Sequence, residues 1–251
     1  MLTHGELRIE PAPEILEATR HWLEPVRGAL GPEFLSAYLT GSVLTQGFDL
    51  KRSGINALVV ARSLGIETLD SLHAAIPVNK KPPRFDPLFL TRVQIAKSLD
   101  AFPIEWIEIQ ERHLLIEGED VFTSLEVPQT HLRLQLEHEL RGKHIQLRQA
   151  YLASPRRPAE LGRVMRAAAS SFATLFRTIL RLRGEDPPAD TPHVIERVAD
   201  SLKLDAQALL AAHLVRYSGR RYKPEELTAL YCKFLAEMDR LVIAIDQLRV
   251  S

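Results

Sequence analysis

The sequence is poor in the residues that make covalent or metal-stapled domains. It has one cysteine, Cys232, so neither an internal disulfide nor a cysteine-based zinc cluster can be built. Cys232 lies in a helical pattern, where a small apolar core role is expected. Aromatic residues make up only 6% of the chain. No apolar run approaches the roughly 18 residues of a membrane-spanning helix, and Met1-Leu2-Thr3-His4-Gly5-Glu6 lacks the pattern of a signal peptide, so a cytoplasmic protein without a membrane partner is expected. Net charge is also missing, because 32 basic residues balance 32 acidic ones. That balance conceals an asymmetry: Met1 to Thr130 carries 12 basic and 18 acidic residues, His131 to Ser251 carries 20 and 14. Neither half is charged enough to imply a nucleic-acid partner, and the opposite signs suit docking of one half on the other.

What is present is enough apolar material, 45% over 251 residues, for two modest domains. The expected boundary separates an α+β domain, 1–130, from an all-helical bundle, 131–251. In the first, Pro11 to Leu30 reads as a helix with Ile15, Leu16, Trp22, Leu23, Val26 and Leu30 on one side, ended by Gly31-Pro32. Glu33 to Thr40 then reads as a strand. Ile55 to Ala61 is apolar and β-branched with little alternation, the pattern of a strand buried on both faces. Gly65 to Ile76 reads as a helix, and the proline-broken stretch from Val78 to Pro87, with Lys80, Lys81 and Arg84, reads as a surface loop. Leu88-Phe89-Leu90 is a short strand, and Thr91 can cap a helix from Arg92 to Leu99. Phe102 to Gln110 reads as a strand carrying Glu105 and Glu108 on opposite faces, and His113 to Ile116 as a last strand, with His113 a surface or turn histidine.

Between the first two strands lies the sequence's most specific feature. Leu39-Thr40-Gly41-Ser42 is separated by Val43 to Ser53 from Gly54-Ile55-Asn56-Ala57-Leu58-Val59-Val60. This frame resembles the signature of the nucleotidyltransferase superfamily, the fold of DNA polymerase β and kanamycin nucleotidyltransferase: an apolar residue, Gly-Ser, a spacer of this length, and Asp-x-Asp on a strand. The resemblance implies that Gly41 turns a strand into a helix and that Ser42 and nearby backbone N–H groups hold nucleotide phosphates. Asn56 then lies at the nucleotide, and a later carboxylate, Glu105 with Glu108 as runner-up, serves as metal ligand or catalytic base. The two aspartates correspond to Gly54 and Asn56. Gly supplies no ligand for Mg²⁺ and Asn only a neutral carbonyl, so weak magnesium binding is expected, with a nucleoside triphosphate as the ligand.

The run Phe102 to Ile109, Gly118-Glu119-Asp120 and Leu132 to Leu152 further resembles bacterial nucleotidyltransferase-domain proteins to which no single reaction is attached. The expectation is a nucleotidyltransferase-like protein with an eroded metal site, binding a nucleotide with little or no transfer. The alternatives are an active enzyme, with one metal held by the nucleotide phosphates and Glu105 or Glu108, Asp49 as a further ligand, that moves a nucleotidyl group to an unknown acceptor, and a protein-interaction scaffold.

The second half shows helical periodicity throughout. The segments are Leu132 to Tyr151, a long helix containing Leu161 to Ile179, His193 to Leu202, Asp205 to Val215, and Pro224 to Leu248, the last a possible homodimer surface. In architecture it resembles helical domains paired with minimal nucleotidyltransferases, including the HEPN class. Arg141 and His144 lie too close together to reproduce the arginine–histidine motif of HEPN ribonucleases, so that activity is not expected. Arg163, Arg166, Arg177 and Arg181 fall on one arc opposite the apolar face, as a solvated basic ridge would.

Overall fold

The structure, a computed structural model, describes residues 10–45, 48, 50, 53–77, 82–153 and 158–247. The chain divides into two compact units, Met1–Pro128 and Gln129–Ser251.

In the first unit, helix α1, Pro13–Leu30, starts with proline at its first position and buries Ile15, Thr19, Trp22, Leu23, Val26 and Leu30. Strand β1, Phe34–Thr40, follows, then a single tight turn, Gly41–Leu44, in place of a longer helix. The remaining elements are β2 (Ile55–Ala61), α2 (Ile66–Ala75), β3 (Phe85–Thr91), α3 (Arg92–Lys97), α4 (Pro103–Glu111) and β4 (His113–Gly118). The sheet order is β3-β2-β1-β4, with β1 antiparallel to both neighbours and β3 parallel to β2. One face packs Ala37, Ala57 and Val59 against Trp22, Val26 and Leu72 of α1 and α2. The other packs Tyr38, Leu58 and Val60 with Ile95, Trp106 and Phe122. Covering on both faces explains the apolar run of β2 from Ala57 to Ala61.

Two expectations of secondary structure are corrected in this unit. The segment holding Glu105 and Glu108 is helix α4, not a strand. Pro103 is placed at the helix start, Glu105 sits in the first turn where a carboxylate favours the helix dipole, and Glu108 pairs with Arg112 one turn on. A short apolar run does not distinguish the two structures by periodicity. The second correction is β3, which begins at Phe85, inside the stretch read as a loop. Phe85 stacks on Trp22 with ring centroids 4.8 Å apart, and Ile55 N–H donates to Arg84 O at 2.8 Å. In this parallel ladder the backbone groups of Phe85, Pro87 and Phe89 point away from β2, so the missing N–H of Pro87 falls on the open edge and breaks no sheet bond. Asp49, Lys80 and Lys81 lie outside the described residues.

The second unit consists, among the described residues, of α5 (Leu132–Ala153), α6 (Pro158–Leu182), α7 (Thr191–Leu202), α8 (Ala206–Tyr217) and α9 (Pro224–Asp246), after a short turn at Gln129–His131. Its core includes Leu136, Phe172, Phe176, Val198, Leu209 and Phe234. Asp190 and Asp205 cap α7 and α8 by accepting backbone N–H bonds, and Tyr231 Oη donates to Leu147 O at 2.7 Å.

The arginine ridge is not solvated along its length. Arg163 and Arg166 are exposed, but Arg177 is only 6% exposed and donates to Thr191 Oγ1 at 3.1 Å, because the start of α7 packs over this part of α6. Cys232, expected in the core, is exposed on α9 beside Tyr151, one position from the buried Tyr231.

Candidate functional site

β1 ends at Thr40 and the chain reverses at Gly41, whose φ of 72° is in the left-handed region that only glycine enters at little cost. A Cβ there would lie 2.7 Å from Asn56 Nδ2, so glycine also makes room for Asn56. The turn is pinned from both sides. Val43 and Leu44 enter a core cluster with Ile15, Leu39 and Ile55, while Ser42 O accepts bonds from Thr45 N at 3.1 Å and Thr45 Oγ1 at 2.8 Å.

Strand register decides what surrounds the turn. Thr40 pairs with Asn56 on one side and with His113 on the other, and Asn56 pairs in turn with Asp86. Paired residues share a face, so His113, Thr40, Asn56 and Asp86 form a row across one end of the sheet, spanning roughly 14 Å at the usual strand spacing. Asp86 was not legible as a site residue, since its place depends on a parallel pairing that the segment's prolines obscure. Its carboxylate lies over Gly54: a Cβ on Gly54 would be 1.8 Å from Asp86 Oδ2. Asp86 is exposed and makes no hydrogen bond or ion pair among the described residues.

The flank of the row formed by β4 is internally satisfied. His113 contacts Ile109 O through Nδ1 at 2.9 Å and Asp120 Oδ2 through Nε2 at 3.2 Å. Burial works to raise the Asp120 carboxyl, but the Phe122 N–H and the His113 ring outweigh it and hold the group below its ordinary value. Tyr38 beneath them is pushed up by burial, and its hydroxyl donates to Glu119 O and accepts from Val121 N–H.

The row brings together Gly41, Asn56 and Asp86, with Ser42 next in the turn. It does not include Glu105, which is exposed on α4, or Glu108, which pairs with the buried Arg112. Among the described residues no three His, Cys, Asp or Glu side chains converge as a metal site. Among the described residues, the one carboxylate and one neutral amide in this row are too few donors for a pair of divalent cations.

A separate concavity of about 320 Å³ lies on the second unit, between α5 and α9. There His144 and Arg148 both bond the Asp239 carboxylate, and Arg141 pairs with Asp246.

The sequence matches no protein-family model and no curated protein. Among solved structures, the chain is similar to spectinomycin adenyltransferase AAD(9) from Enterococcus faecialis, solved with ATP and spectinomycin. The TM-score is 0.55, with 91% of this chain and 98% of that chain covered, at 15% identity. At that identity the likeness is one of fold. The turn after β1, the mixed sheet and the helical second unit agree with it: the chain has the nucleotidyltransferase fold, followed by an all-helical unit.

Proposed function

We propose that the protein binds a nucleotide at the Gly41-Ser42 turn and carries out little or no nucleotidyl transfer. The observation that carries this reading is the end of β2, where Gly54 offers no side chain, Asn56 offers an amide, and the carboxylate of Asp86 occupies the space over Gly54. Nucleotidyl transfer relies on paired metals to activate one oxygen and stabilise another, and these donors supply no such clamp. In this reading Asp86 takes the carboxylate role that the family resemblance implied for Glu105 or Glu108. The ATP bound to the related fold supports a nucleoside triphosphate as the ligand class.

A second reading, transfer of a nucleotidyl group to an unknown acceptor, draws on the same Asp86: one carboxylate with the phosphates of a nucleotide can share a single, weakly held magnesium ion.

The test is calorimetric titration of the full chain with ATP, GTP, CTP and UTP, each with and without magnesium, alongside Gly41→Val. Binding that is indifferent to magnesium and lost in the variant is expected, since a β-branched residue meets both the positive φ and Asn56. Binding that requires magnesium would favour the transferase. The absence of binding to all four would overturn both readings and leave a scaffold for a protein partner.

A further inference from the structure

The second unit carries an excess of basic residues, and its densest concentration lies where α8 gives way to α9. Residues 216–223 read Arg-Tyr-Ser-Gly-Arg-Arg-Tyr-Lys, with four cations and two tyrosines. Gly219, at φ 67°, lies in the turn between the two helices, where Tyr217 to Arg221 are exposed. Arg216 lies 5.3 Å from the centre of the Tyr217 ring and Arg220 lies 5.0 Å from that of Tyr222, whose hydroxyl is 3.2 Å from Ser218 Oγ. Arg216 Nη1 also donates to Arg166 O at 2.9 Å, which joins the loop to the exposed basic end of α6. Of the nearby acids among the described residues, Glu226 is already paired with Arg220 at 2.7 Å, and Glu160, at the start of α6, with Arg163 at 2.8 Å. Arg221 and Lys223 are exposed and make no hydrogen bond or ion pair among the described residues.

We propose that this loop and the adjoining end of α6 bind single-stranded nucleic acid. Arg221, Lys223 and Arg166 meet the phosphates, and Tyr217, 44% exposed, meets a base. A cluster of cations without matching acids gains affinity from phosphates by releasing their condensed counterions, and an exposed aromatic ring lets bases stack without regard to sequence. A lone nucleotide would engage one or two of these cations. Cations spread over α6, α8 and the loop match a chain of phosphates. The charge of the whole half hides the patch, because acids elsewhere in the unit offset it in the sum but not in space.

Fluorescence anisotropy of the full chain with labelled oligouridylate, oligothymidylate, duplex DNA and heparin, together with light scattering from anionic vesicles, tests the proposal. Single strands are expected to bind more tightly than duplex, with log affinity falling linearly in log salt. Arg221→Glu with Lys223→Glu should weaken binding about tenfold or more, as loss of two phosphate contacts requires. Tyr217→Ala should weaken oligonucleotide binding and leave heparin binding unchanged. Thermal melts, expected to be unaltered by the two charge reversals, separate lost contact from lost fold. No binding of single strands near physiological salt, indifference to charge reversal in a folded variant, or preference for vesicles or heparin over oligonucleotides would each overturn it.

Discussion

Single residues in the helical unit set opposing responses to pH. Burial pushes the His213 imidazole below its ordinary value, with the charge of Asp190 pulling the other way, and its Nδ1 is buried without a hydrogen-bond partner among the described residues. His213 therefore takes up protons more readily in the unfolded chain. Its contribution is fully present above the unfolded value of about 6.5 and is lost as pH falls through the folded value. His193 behaves oppositely, since its hydrogen bond to Asp190 raises it, so its contribution is present below about 6.5 and lost as pH rises through the folded value. Melting temperatures measured from neutral pH into the acid range should fall for the native chain, fall less for His213→Gln, and fall more steeply for His193→Gln. An unchanged slope in His213→Gln would show that the burial of this imidazole has no energetic consequence.

At the scale of elements, the relation between β2 and β3 governs the candidate site. The two strands run parallel with Asn56 beside Asp86, so acids restored at positions 54 and 56 would stand next to an existing carboxylate. Gly54→Asp requires the Asp86 carboxylate to rotate away from the 1.8 Å approach, which the free end of a short side chain can do. Three carboxylates at one strand end repel one another until a cation joins them. The Gly54→Asp, Asn56→Asp double variant should therefore melt below the native chain without magnesium and recover in its presence. A tenfold excess of magnesium over its dissociation constant is worth about 1.4 kcal/mol. The native chain should respond little to the same addition. Differential scanning fluorimetry with and without magnesium reads both, and an equal response in the two proteins would mean that the native donors already hold the ion.

For the molecule as a whole, each unit has its own core. The first closes its sheet between α1 and α2 on one face and α3 and α4 on the other, and the second packs α6 among α5, α7, α8 and α9. Fragments 1–128 and 129–251 should accordingly fold separately, each with a cooperative thermal transition followed by circular dichroism. A fragment that melts without cooperativity would mean its core requires the other unit. No described helix is long and apolar enough to cross a membrane.

Local chemistry made much of this architecture readable. The apolar periods of α1, α2 and the five helices of the second unit, the capping threonine before α3, and the double-sided burial of β2 depend on residues within a turn or two of one another. The frame from Thr40 to Asn56, including the absence of acids at 54 and 56, was readable only through its resemblance to the nucleotidyltransferase signature. Tertiary structure decided whatever depended on a distant partner. The strand at Phe85 forms because Trp22 and β2 receive it, and that pairing puts Asp86, rather than Glu105, beside Asn56. Arg177 lies under the start of α7, and Cys232 faces outward although its neighbour Tyr231 is buried. Periodicity shows which residues share a side of an element. Which neighbour covers that side is set by packing between segments far apart in the chain.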